Sequence, residues 1–101
     1  MTSLADEFHK EMLAIYDKAR DELGIRLTRF KQEVWRHRGV YAAKMLIHSK
    51  STTTGFTKLW ENQRLDLTVE SLVVNNKKWH PLFTKDDINK AKETLEKYKQ
   101  P

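Results

Sequence analysis

Arginine carries a planar fork of donors that fits the paired oxygens of phosphate and carboxylate, and four arginines crowd one short stretch of this chain: Arg26, Arg29, Arg36 and Arg38. From Arg26 to Lys50 there are seven Lys or Arg and one acid, Glu33, a local charge of +6, whereas residues 1–25 sum to −3 and residues 51–101 to +2. Clustered positive charge attracts phosphate or an acidic protein face over a long, salt-sensitive range, while scattered charge mainly keeps a protein soluble. Arg29 and Arg36 stand seven residues apart and share one helical face, with Arg26 a turn before Arg29, so three guanidinium groups can line up as a phosphate-binding ridge. Lys44, His48 and Lys50 extend the basic run. The plainer alternative is a solvated face, with some of its arginines paired to the acidic N-terminal segment.

A second constellation is Trp60, Glu61, Arg64, Asp66 and Glu70, where acids and an arginine interrupt an apolar stretch. Burying such charges unpaired costs several kcal/mol, so Arg64 is expected to pair with Asp66 or Glu70, or else the charges face a partner. Two carboxylates serve as general acid and base only where their surroundings split their pKa values, which makes an enzyme using Asp66 and Glu70 the third-ranked class. His9, His37, His48 and His80 are far apart, and none has the spaced partner of a metal-binding helix, so no metal site is expected. Gly24, Gly39 and Gly55 are too scattered for a phosphate-binding glycine loop, and no cofactor is expected. The run Thr52-Thr53-Thr54-Gly55 reads as a helix-capping loop ahead of an anion site. Without cysteine there is neither a disulfide framework nor thiolate chemistry.

The elements that must carry these side chains are helical by pattern. Leu4, Phe8, Met12, Ile15, Ala19 and Leu23 recur in steps of three and four, which predicts a helix over 3–23 with Ser3 as N-cap and Gly24 as its stop. Leu27, Phe30 and Val34 predict a second helix that ends near residue 38 before Gly39, with Thr28 as cap. The stretch 40–47 is apolar nearly all round and predicts a short central helix. Residues 49–55 read as a loop, and a short element follows with Phe56, Leu59 and Trp60 inward. A helix is preferred over a strand for 65–74, with Asp66 or Thr68 as cap. Trp79 to Phe83 reads as an irregular aromatic connector, because Pro81 disfavours helical geometry at His80. Thr84 and Asp87 then open a last helix that buries Ile88, Ala91, Leu95 and Tyr98.

These readings give one domain over residues 1–101, an all-α orthogonal or irregular bundle of five to six short helices. At 101 residues one core is expected, with a radius of gyration of roughly 13 Å. A helix-turn-helix about Gly39 fits poorly: the tightly packed position before the turn is Trp35, and the second helix offers mainly Tyr41, Ala42, Ala43, Met45, Leu46 and Ile47 to a groove that needs polar readers. The N-terminus lacks a basic region followed by an apolar run, and no 18-residue apolar stretch occurs, so no membrane partner and a cytoplasmic location are expected.

The run from Gly55 to Glu70, with Leu59-Trp60-Glu61 and Arg64-Leu65-Asp66-Leu67-Thr68-Val69-Glu70 at its centre, then Trp79 and Pro81-Leu82-Phe83-Thr84, resembles a family of short, uncharacterised bacterial proteins. The likeness reaches upstream to Gly39, Val40 and Ala42-Ala43-Lys44. It implies a bacterial or phage-related intracellular domain in which the stretch 60–70 characterises the fold or a shared surface, and it brings no activity, ligand or catalytic residue with it. The leading expectation is a non-enzymatic interaction domain that binds a protein partner or self-associates through helix two and its turn, with Arg29, Arg36 and Arg38. The alternative is sequence-tolerant nucleic-acid binding through the same ridge.

Overall fold

An apolar stripe in steps of three and four makes the first helix, α1 (Leu4–Leu23), in the computed structural model, which describes residues 2–50 and 53–98. The Ser3 hydroxyl accepts from the Asp6 amide at 3.1 Å, and Gly24, at φ +68°, takes the left-handed conformation that stops the helix. α1 buries Phe8, His9, Met12, Ile15 and Ala19, and its neighbours gather around that stripe.

Two short helices follow, α2 (Thr28–His37) and α3 (Gly39–Ile47). Leu27, not Thr28, occupies the N-cap of α2, and no side chain caps it. The break between the two helices falls on Arg38, at φ +68° and ψ 163°, rather than on the glycine expected there. Gly39 is needed for closeness instead. A Cβ on it would lie 2.6 Å from the His9 Cα, and its amide donates to His9 Nδ1 at 3.0 Å. That contact sets the start of α3 directly on α1. Burial, then the Arg38 charge, lowers the His9 pKa against the pull of Asp6, so the ring stays the neutral acceptor that this bond requires. α3 buries Ala42, Ala43 and Ile47 but is not apolar-facing all round, since Tyr41 and Met45 point to solvent.

The Ser/Thr run is shorter as a loop than expected. Thr53 accepts from the Phe56 amide at 3.1 Å and starts α4 (Thr54–Glu61), so Thr54 and Gly55 are helical; Ser51 and Thr52 lie outside the described residues. The single helix expected over 65–74 is divided into a 3-10 turn at Leu65–Leu67 and α5 (Val69–Asn75). Thr68 makes the division: its hydroxyl donates to the Leu65 carbonyl at 2.7 Å and accepts from the Ser71 amide at 3.2 Å, closing one turn and capping the next.

The aromatic connector is regular, a 3-10 helix over Lys77–Leu82 that holds Pro81 inside it. Pro81 forfeits one amide donor, and the turn is held on either side of it by the Trp79 amide donating to the Asn76 carbonyl at 3.2 Å and the Phe83 amide to the His80 carbonyl at 3.0 Å. It delivers Trp79 edge-on to Phe8, ring centres 5.4 Å apart, and Phe83 closes the same cluster at 5.2 Å. The His80 ring bonds the Val73 carbonyl at 3.0 Å. The last helix, α6 (Lys85–Tyr98), opens on the reciprocal box expected: Asp87 accepts from the Thr84 amide at 2.9 Å, and Thr84 accepts from the Asp87 amide at 3.1 Å. Of its predicted inner face Ala91 is fully buried, while Ile88, Leu95 and Tyr98 are half-buried. Among the described residues the chain is an all-α bundle of six α-helices and two 3-10 segments, with no strand and a radius of gyration of 12.6 Å. All six α-helices contribute to one hydrophobic core.

Candidate functional site: a groove rimmed by cations

The six helices leave a groove of about 1090 Å³ between α2 and α3 on one side and α4, α5 and α6 on the other. Its volume lies just above the roughly 300–1,000 Å³ usual for small-molecule pockets, as suits an open groove. Apolar side chains from several elements, Ile15, Leu27, Leu46, Ile47 and Leu67 among them, line it. Three aromatic rings do so as well: Phe30 from α2, Phe56 from α4 and Tyr98 from α6. Phe56 and Tyr98 meet edge to face at 5.2 Å, and Trp60 fixes that corner by donating from Nε1 to the Tyr98 carbonyl at 2.9 Å.

Six cations surround these apolar surfaces: Arg26, Arg29, Lys50, Lys58, Lys90 and Lys97, against Glu33, Glu70 and Glu93. Among the described residues none of the six is in an ion pair. Their charge is therefore available to a ligand. Lys58, Lys90 and Lys97 escape the sequence reading, although Lys90 and Lys97 are seven residues apart on α6 and thus share a face.

The predicted ridge is divided by this geometry. Arg26 precedes α2 rather than lying on it, and it joins Arg29 at the groove. Arg36 is exposed two turns further along the Arg29 face, beyond the groove lining. Arg38 bonds Asp6 of α1 at 2.9 Å, which is the pairing to the acidic segment that the plainer reading allows. Lys44 lies 3.6 Å from the Asp87 carboxylate, which His48 also reaches at 2.7 Å. Burial raises the Asp87 pKa, but the Thr84 amide, His48, the Thr84 hydroxyl and Lys44 outweigh it and hold the carboxyl below its ordinary value. Trp35 stands 64% exposed, its ring edge-on to His9 at 6.5 Å.

The second constellation is not one cluster. Arg64 forks onto Asp66 at 3.0 and 3.2 Å and onto Glu22 of α1 at 3.0 Å, so it ties the 3-10 turn to the first helix. The hydrogen bond from Arg64 holds the Asp66 carboxyl low despite partial desolvation. Glu70 is elsewhere, 7% exposed at the groove, and among the described residues no other side chain bonds it. Burial pushes its pKa up to about 7, opposed only by its own backbone amide.

His37 sits by Glu33 at 3.5 Å and against Tyr41, whereas His48 is on Asp87. Among the described residues no group of three or more His, Asp or Glu is placed to hold a metal ion, and no helix is long and apolar enough to cross a membrane. No family model, curated protein or solved structure matches the chain.

Proposed function

We propose that this chain is a non-catalytic binding module that holds single-stranded nucleic acid in the groove between α2–α3 and α4–α6. The observation that carries the reading is the convergence on one aromatic-lined groove of six cations, from several elements, that make no ion pair among the described residues, with Lys97 over the Tyr98 ring at 5.9 Å. A strand with unstacked bases presents both halves of the complementary surface: phosphates for the cations and flat apolar faces for the rings. A duplex keeps its bases stacked inside and meets a convex helix better than a concave groove, and α3, which packs on α1, α2, α5 and α6, turns Tyr41 and Met45 outward rather than polar side chains that read base edges. Catalysis is disfavoured because Asp66 is committed to Arg64 and stands apart from Glu70.

A protein partner or self-association is the second reading, favoured by the exposure of three large apolar side chains, Trp35 (64%), Tyr41 (59%) and Met45 (44%). Anisotropy titrations separate the two. With about four phosphates neutralised, affinity for a labelled single-stranded RNA should fall roughly fifty-fold between about 50 and 200 mM salt. Both Arg26→Glu/Arg29→Glu and Lys90→Glu/Lys97→Glu should abolish binding, and duplex DNA should bind more weakly than the strand. No binding, or binding that both charge reversals leave intact, rejects the groove and turns attention to the Trp35 surface.

A further inference from the structure

The groove's three acids are not equivalent. Glu33 is half-exposed beside His37, and Glu93 is exposed on α6. Glu70 is buried to 7% exposure without a bonding partner on any other described residue, and it lines the space that the cations rim. The Glu70 oxygens are not sealed in: among the described residues the fully buried side-chain polar atom without a hydrogen-bond partner is Trp79 Nε1. Water can fill a carboxylate's acceptor sites in an open groove, and a ligand that displaces it must present N–H or O–H groups, tolerate an apolar, aromatic wall, and carry negative charge at its other end to meet the rim.

Of the bases in a nucleic-acid strand, guanine meets this description best. Its Watson–Crick edge offers two parallel donors, N1–H and the N2 amino group, which match the two oxygens of a carboxylate. Uracil and thymine offer one imide donor flanked by carbonyl oxygens that repel an anion. Adenine and cytosine place a bare ring nitrogen beside their amino group, which opposes the second oxygen. Single-stranded recognition commonly reads this edge while aromatic side chains cover the base face.

Resting on the groove as a single-strand site, we propose that Glu70 is its base-reading residue, accepting from N1–H and N2–H of one guanine whose flanking phosphates lie against Arg26, Arg29 and the lysines of α4 and α6. The acceptor role needs the ionised carboxylate. Because burial holds the Glu70 pKa near 7, the measurement belongs at about pH 8.

The test compares three labelled octaribonucleotides: octauridylate, the same strand with one central guanine, and the same strand with inosine at that position. Inosine keeps N1–H and lacks the amino group. The wild type should bind the guanine strand about tenfold tighter than octauridylate, with inosine between them, the scale of one bidentate base contact. Glu70→Gln, which replaces one acceptor oxygen by a donor amide at nearly constant volume, should reduce both ratios to about one. Circular dichroism and urea unfolding of the variant establish that it is folded. Equal binding of all three strands by the wild type, still abolished by Arg26→Glu/Arg29→Glu, overturns the Glu70 assignment and leaves the groove standing. A guanine preference that persists in Glu70→Gln overturns the assignment too. Failure of every strand to bind overturns the groove and the assignment together.

Discussion

A carboxylate that is 7% exposed and bonded by no other described side chain is held charged only at a cost, and Glu70 lets that cost be measured. Its pKa lies near 7 in the fold, where burial penalises the charge, against 4.5 ordinarily. Between those values the folded chain binds more protons than the unfolded one, so stability falls as pH rises through the window and levels off above it. Glu70→Gln removes the titration. The variant should match the wild type at about pH 4.5 and exceed it by up to about 3 kcal/mol at about pH 8, read from urea unfolding. Equal stability at both pH values would show that the carboxylate is solvated in the native state. The sequence marks Glu70 as a charge in an apolar run but suggests Arg64 as a partner for it or for Asp66. The choice depends on the 3-10 turn at Leu65–Leu67, which brings Asp66 under the Arg64 fork, and on Glu22, 42 residues away in sequence, which takes the remaining donor. A long-range competitor of that kind has no local signature.

Between elements, the tightest fitting is where α3 meets α1. Gly39 stands at that junction because any side chain would collide with the backbone of His9, and the Gly39 amide needs the same closeness to reach Nδ1. Gly39→Ala should destabilise the fold by about 1–3 kcal/mol, the usual range for forcing extra volume into packed structure, by thermal or urea unfolding. A neutral result would mean that α3 slides off α1 without loss. The neighbouring Arg38 holds a conformation rarely adopted outside glycine. A sequence reader naturally assigns the left-handed turn to the glycine, and here the glycine is spent on contact instead. Features decided within a turn of chain were legible: the Ser3 cap, the Gly24 stop and the Thr84–Asp87 box. Features decided by a neighbouring element were not, including the exposure of Tyr41 and Met45 on a helix whose composition reads as buried.

Across the whole molecule, the groove is a product of assembly. The cations of 26–50 are legible as a run, but Lys58, Lys90 and Lys97 look like ordinary surface lysines until α6 packs beside α5 and α3. The charge asymmetry of the sequence thus names one wall of the groove and is silent on the other. A ligand held by both walls must couple them, since unfolding either releases it. At about one hundred times its dissociation constant, a bound strand should stabilise the native state by about 2.7 kcal/mol. For a domain of this size that corresponds to a rise in Tm of roughly 10–20 °C. Arg29→Glu on the α2 wall and Lys90→Glu on the α6 wall should each suppress most of that rise while leaving the Tm of the free protein nearly unchanged, because neither side chain makes an ion pair among the described residues. A rise lost only in Arg29→Glu would place the strand along α2 alone, as the ridge reading of the sequence has it. Suppression by both requires a ligand that spans the two walls, which only the folded chain brings together.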